Sequence, residues 1–107
     1  MKKNTLFLAL LLGLQISLAH AQDTYKITIT DKGIEPQTLT VPVGKKVALE
    51  VINQTDQPVE LEGKAFASEI VAPPNGHAKE FIGPYVAGDY GFYNDYNRQM
   101  MGTIHSH

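Results

Sequence analysis

The sequence predicts an all-β protein, a single Greek-key antiparallel β-sandwich. Apolar and polar residues alternate in about seven short stretches, and a period of two is typical of half-buried strands. Turn-forming residues separate these stretches at intervals of about 8–12 residues, a spacing typical of β-sandwiches. No stretch of the mature chain indicates a convincing helix.

The first 21 residues are predicted to be a cleavable signal peptide. Lys2 and Lys3 precede an apolar run over 6–14, and Ala19 and Ala21 are the small residues that a signal peptidase reads. A membrane anchor is the alternative, but it would need roughly 20 apolar residues. We therefore expect export and one mature domain, residues 22–107, that does not span the membrane.

Composition excludes several kinds of chemistry. The chain has no cysteine, so disulfides and thiolate metal sites are excluded. Loss of the signal peptide would change the formal net charge from −2 to −4, and a nucleic-acid-binding protein would instead need a basic patch. No Ser–His–Asp set or phosphate-binding glycine loop supports hydrolytic catalysis.

Four strands are predicted in the first half of the mature chain. The alternating stretches are 25–30, 39–43, 47–51 and 59–62. Pro42 lacks a backbone donor, so we expect its strand at a sheet edge or at a bulge. In the stretch 59–62 the apolar residues face one way and two glutamates face the other.

The second half is predicted to contain shorter strands. Residues 63–69 fit either a helical turn or an irregular crossover, and the loop 73–76 is rich in proline and glycine. Strands are predicted at 78–82, at 90–93 and finally at 102–105, with a polar loop before the last of them.

The order of these motifs resembles that of the cupredoxin family. Pro36, Leu-Thr-Val-Pro-Val-Gly at 39–44 and Val-Ala-Leu-Glu-Val-Ile-Asn at 47–53 look like its first half. Val-Ala-Gly-Asp-Tyr-Gly-Phe-Tyr at 86–93 and Met-Met-Gly-Thr-Ile at 100–104 look like its second half. The resemblance covers essentially the whole mature chain and implies a cupredoxin-like sandwich.

The copper ligands of that family are largely missing. Cupredoxins hold type 1 copper with two histidines, a cysteine and a weak axial methionine. The resemblance places Val59 and Asn97 at the histidine positions and Asn94 at the cysteine position. Met100 matches the axial methionine. A conventional blue-copper electron carrier is therefore not expected.

A subfamily of bacterial iron-uptake proteins is similar in the segments 59–63, 68–73 and 83–96. Its motifs are typically Glu-aromatic-Glu-Ser and Asp-Phe-His, where this chain has Leu61 and Gly63 in the first and Asn in place of His in the second. The resemblance implies a periplasmic partner of a ferrous-iron permease. It also implies that copper or iron is bound, and that Fe(II) is handled or oxidised to Fe(III).

Carboxylates are the main candidate metal ligands. Glu60 and Glu62 lie two apart on one face of a predicted strand, roughly 7 Å from each other. Together with Glu69 and Asp95 they would form a hard anionic site for iron or another divalent cation. The alternative is that the glutamates form a solvent face and that Asp95 stabilises a turn.

Methionine and histidine side chains give a second set of candidates. Met100 is a soft candidate ligand, although core packing is the commoner role of methionine, and Met101 must face the other way. His105 and His107 would lie on one side of the last strand and could bind Cu(II), Ni(II) or Zn(II), or could belong to a frayed tail. His77 is expected at the surface.

Three functions remain open from the sequence. The first is a periplasmic metal-binding protein that works with iron-uptake components. The second is a metal-free sandwich that docks a partner protein. The third is a periplasmic copper carrier that uses the methionines and the terminal histidines.

Overall fold

The computed structural model describes residues 24–107, which form nine β-strands. The predicted signal peptide lies outside the described residues. In chain order the strands are β1 (Thr24–Thr30), β2 (Gly33–Glu35), β3 (Thr38–Val41), β4 (Val47–Asn53), β5 (Val59–Gly63), β6 (Ile70–Ala72), β7 (His77–Ile82), β8 (Gly88–Asn94) and β9 (Asn97–Ser106). Within this part of the chain no helix is long and apolar enough to cross a membrane.

The strands form two sheets that pack face to face, and the predicted all-β sandwich is confirmed. One sheet has the order β2-β1-β4-β7 and the other has the order β3-β9-β8-β5-β6. Two pairings differ from the antiparallel ones expected, because β1 runs parallel to β4 and β3 runs parallel to β9. Alternation of side chains sets which face of a strand is buried, but it does not encode the direction of the neighbouring strand.

The core lies between the sheets and consists of the inward-facing residues that the alternation predicts. Ile27, Leu49, Leu61 and Ile104 are completely buried. Burial of each such side chain contributes about 1.5–3 kcal/mol. Since no disulfide is present, this core is the main source of stability.

The observed strands differ from the predicted ones in number and in several boundaries. The short strands β2 and β6 were not predicted, and of the two alternatives for 63–69 the structure shows the irregular crossover, which contains a turn and a bend. The last strand begins at Asn97 instead of 102, so the polar loop is only the two-residue turn Asp95–Tyr96. Backbone pairing with β8 forms this part of β9 because ladder hydrogen bonds do not depend on side-chain polarity.

The structure shows the place of Pro42 at a sheet edge and the side chain that holds the polar loop after β4. Pro42 follows β3 directly, and β3 is an edge strand, as its missing donor required. The polar loop after β4 is held by the buried Asn53 side chain, whose Nδ2 donates to the carbonyls of Gln57 (2.7 Å) and Pro73 (3.0 Å). The Asn53 side chain therefore joins the loop after β4 to the loop that follows β6.

Candidate metal centre

The burial of β5 determines where its glutamates point. Val59 and Leu61 are buried in the core. Glu60 and Glu62 alternate with them and therefore project from the outer face of the five-stranded sheet. Both glutamates are half-buried rather than fully exposed. The predicted placement on one face is therefore observed.

The β8–β9 turn brings a third carboxylate to this face. The backbone N–H of Asp95 donates to the carbonyl of Glu60 at 2.8 Å, which anchors the turn beside β5. One carboxylate oxygen each from Glu60, Glu62 and Asp95 lies within 4.8 Å of the others. Metal–oxygen distances are about 2.0–2.6 Å, so a single cation between these oxygens could contact all three.

Glu69, in the connection before β6, joins the same cluster. Hydrogen bonds with Glu69 and then with Glu62 raise the pKa of Glu60 to about 7. The pKa of Glu69 is lowered, chiefly because its carboxylate is hydrogen-bonded by Glu60. A protonated Glu60 would donate to the Glu69 carboxylate, which reduces the repulsion within the cluster. A metal ion would replace that proton.

Two further side chains contact the cluster from β8 and β9. Arg98 donates to Oδ1 of Asp95 at 2.8 Å and lies 5.0 Å from the centre of the Tyr93 ring. The Tyr93 hydroxyl donates to Oε2 of Glu62 at 3.2 Å. Hydrogen bonding to Asp95 is the main reason why the pKa of Arg98 is raised. Arg98 and Tyr93 therefore compete with a cation for the carboxylate oxygens.

The position that matches the copper thiolate carries a buried amide. Asn94 Oδ1 accepts hydrogen bonds from the backbone N–H groups of Glu60 (3.1 Å) and Tyr96 (3.2 Å). Its Nδ2 donates to Sδ of Met100 at 3.6 Å. Through these hydrogen bonds the Asn94 side chain joins the β8–β9 turn to β5. Its amide is neutral and cannot act as the soft, anionic ligand that a thiolate provides.

The other positions of a type 1 copper site do not fit either. Val59 is 1% exposed and belongs to the core. Asn97 is exposed, and its Oδ1 accepts from the backbone N–H of Gln99 at 3.2 Å. With Asn94 in place of a thiolate, only Met100 of the four positions could bind copper. A type 1 copper site is therefore incompatible with these residues.

The methionines and the terminal histidine do not converge on one site. Met100 packs against the core, whereas Met101 is 59% exposed on the outer face. His105 pairs with Asp89 at the far end of the β8–β9 hairpin, about 20 Å from Asp95 at roughly 3.3 Å per residue. His105 therefore shares no site with the carboxylates, and it does not lie close to Met100, which faces the core.

Sequence reasoning did not identify Arg98 or the structural role of Asn94. Arg98 follows Asp95 by three residues, and that spacing across a short turn is the only signal that could have found the pair. Nothing in the sequence connects Asn94 with β5, because the two are 34 residues apart. His77 lies at the surface, as predicted, with its Nδ1 at 3.2 Å from Glu50.

Comparison with known proteins identifies the architecture. The family model of the cupredoxin-like domain matches residues 4–105. A reduced Cu(I) form of an amicyanin variant superposes with a TM-score of 0.63 at 14% identity, covering 84% of this chain and 88% of that chain. Amicyanin from Paracoccus versutus superposes with a TM-score of 0.63 at 12% identity, covering 84% and 87%. No curated protein matches the sequence.

Proposed function

The chain belongs to the cupredoxin-like domain family, and on that basis we propose that it is an exported metal-binding protein that handles ferrous iron beside a bacterial iron-uptake permease. The observation that carries this proposal is the convergence of Glu60, Glu62 and Asp95 within 4.8 Å. Glu69 supplies a fourth carboxylate at the edge of the cluster. On this proposal the four residues are the iron ligands.

The chemistry of the ligands favours iron over copper. Carboxylate oxygens are hard ligands, whereas the preference of Cu(I) is for thiolates and thioethers. Met100 contributes its sulfur to a hydrogen bond from Asn94 and points to the core side of the sheet. A carboxylate cluster of this kind prefers cations of high charge, so Fe(III) is held more tightly than Fe(II).

This preference would assist oxidation of the bound iron. Conversion of Fe(II) to Fe(III) releases one electron, which an external acceptor such as dioxygen takes up. Ligands that bind Fe(III) more tightly lower the reduction potential of the couple, and this makes the loss of the electron easier. The role of the protein is then to bind the ion and to stabilise its oxidised form.

Support for a partnership with an iron permease comes from the segments 59–63, 68–73 and 83–96, which resemble periplasmic iron-uptake domains. The cluster is also accessible. It lies on an outer sheet face, and the Asp95 side chain is 35% exposed. An ion held there can be passed to another protein without opening the core.

Calorimetric titration with Fe(II) under anaerobic conditions tests the site. We expect the wild type to bind one ion, and the double variant Glu60→Gln with Asp95→Asn to lose this binding. Glu80→Gln is the matched control, since Glu80 is an exposed glutamate on β7 of the other sheet. Equal Fe(II) affinity in the wild type and the double variant would exclude the cluster as the site.

Two further measurements test the later steps. When air is added, Fe(II) bound to the wild type should be oxidised faster than Fe(II) mixed with the double variant. A chelator that traps the remaining Fe(II) measures the rate. Deletion of the gene should lower the uptake of Fe(II) by intact cells. Unchanged uptake would contradict the proposed partnership while leaving the metal site intact.

Two observations favour a second candidate, a metal-free docking module. The hydrogen bond between Asn94 and Met100 joins two of the four positions that would hold copper in the family. Val71 and Met101, each at least half exposed, lie on the five-stranded sheet beside the carboxylates and provide apolar contact area. Absence of Fe(II), Cu(II) and Zn(II) binding in the titration would favour this function.

A further inference from the structure

The end of β9 carries two histidines on one face of the sheet. The buried Ser106 separates His105 from His107, and alternation places both imidazoles on the same side. Their rings are stacked, with centres 5.8 Å apart and planes 18° from parallel. The backbone N–H of His107 donates to the carbonyl of Val41 at 3.2 Å, so the chain remains strand-like at this position.

A carboxylate orients the first of these rings. Nδ1 of His105 lies 2.6 Å from Oδ1 of Asp89. A carboxylate oxygen can only accept, so Nδ1 carries the hydrogen and donates it. In the neutral ring this leaves the lone pair on Nε2, which is the atom that would bind a metal. Carboxylate–histidine–metal arrangements of this kind fix the tautomer and increase the basicity of the ligand.

The backbone around the pair is held on both sides. His105 is opposite Thr40 of β3 and opposite Asp89 of β8, and Ser106 is opposite Val41 and Gly88. A strand with neighbours on both sides keeps its side-chain directions fixed. The His105 side chain is nevertheless 40% exposed, so an ion can reach it from solvent.

We propose that His105 and His107 form a second metal site, which binds a borderline divalent cation such as Zn(II), Ni(II) or Cu(II). Nε2 of His105 and one ring nitrogen of His107 are the ligands, Asp89 is a positioning residue, and water completes the coordination. Imidazole suits these cations, whereas the carboxylate cluster suits iron. The two sites lie about 20 Å apart along the hairpin, so this one does not depend on the proposed function.

Zinc titration of the untagged protein at neutral pH tests the proposal. We expect His105→Gln and His107→Gln each to weaken Zn(II) binding at this site by at least tenfold. Asp89→Asn should weaken it by about 10–100-fold, as is typical of partners that orient a metal-bound histidine. His77→Gln is the matched control, because His77 is an exposed histidine next to a carboxylate on the other sheet.

Nitrogen NMR of the imidazole rings distinguishes binding from a structural effect. Zn(II) should shift Nε2 of His105 and a ring nitrogen of His107 while leaving His77 unchanged. In the metal-free protein, Asp89→Asn should change the tautomer balance of His105. Zinc affinity that is equal in the wild type and in His107→Gln would overturn the proposal. A stoichiometry of one Zn(II) per two chains would also overturn it, because the ion would then bridge molecules.

Discussion

Asn94 donates a hydrogen bond from Nδ2 to Sδ of Met100 at 3.6 Å. The sequence resemblance places these two residues at the cysteine and axial methionine positions of the cupredoxin pattern, and here their side chains contact each other directly. The turn that carries Asp95 is held next to β5 by two bonds. Asn94 Oδ1 accepts from the N–H of Glu60, and the N–H of Asp95 donates to the carbonyl of Glu60.

Replacement of Asn94 by Ala should therefore destabilise the protein. The change removes the acceptor for the N–H groups of Glu60 and Tyr96, and a buried unsatisfied polar group costs about 1–3 kcal/mol. Urea denaturation would measure the loss in free energy of unfolding. Asn97→Ala is the control, since the exposed Asn97 should contribute little.

Metal binding at the carboxylate cluster should depend on pH. Hydrogen bonding with Glu69 and then with Glu62 raises the pKa of Glu60 to about 7, so protons compete with the cation below that pH. Fe(II) affinity should rise as the pH is raised to about 7 and level off above it. In anaerobic calorimetry, Glu69→Gln should move the rise to lower pH, because the largest cause of the raised pKa is removed. An unchanged pH profile in that variant would contradict this hydrogen bonding.

The metal-free protein should show the opposite trend in the stability contribution of Glu60. The folded-state pKa of Glu60 is raised from its ordinary value of 4.5 to about 7. Its contribution is therefore complete below about pH 4.5 and is lost as the pH rises through 7. Glu69, with a lowered pKa, contributes in the opposite sense, and its contribution is lost on acidification. Urea denaturation between pH 4.5 and 7 measures this effect. The fall in the free energy of unfolding as the pH approaches 7 should be smaller in Glu60→Gln than in the wild type.

Arg98 should weaken metal binding, because it occupies an oxygen of Asp95. Removal of its charge in Arg98→Gln should increase Fe(II) affinity at the cluster. The Arg98 side chain is 72% exposed, so its ion pair with Asp95 is screened by solvent and the free energy of unfolding should change little. Lys46→Gln provides a comparison, since Lys46 lies over the Phe81 ring away from the cluster. Reduced Fe(II) affinity in Arg98→Gln would indicate that the arginine orients Asp95 instead.

Gly102 should not tolerate a side chain. A Cβ at this position would overlap ring carbons of the buried Phe92 on the neighbouring strand. Gly102→Ala should cost about 1–3 kcal/mol of unfolding free energy, as overpacking of a core does. Gly91→Ala is the matched control, because a Cβ on Gly91 meets no atom within 4 Å. Equal thermal unfolding midpoints of the two variants would contradict this packing.

The sequence by itself determined the all-β class, the inward residues of most strands and the common face of Glu60 and Glu62. These features follow from a period of two, which a strand expresses locally. It also excluded thiolate chemistry, because the chain has no cysteine.

Only the tertiary structure decided which strands are neighbours, and with that the composition of the site. The parallel pairings, the approach of Asp95 to Glu60 and the bond between Asn94 and Met100 all join segments through strand pairing or a turn. The same pairing separates His105 from the carboxylates by the length of a hairpin. Local alternation does not encode which distant strands become neighbours or in which direction they run, so these relationships could not be read from the sequence.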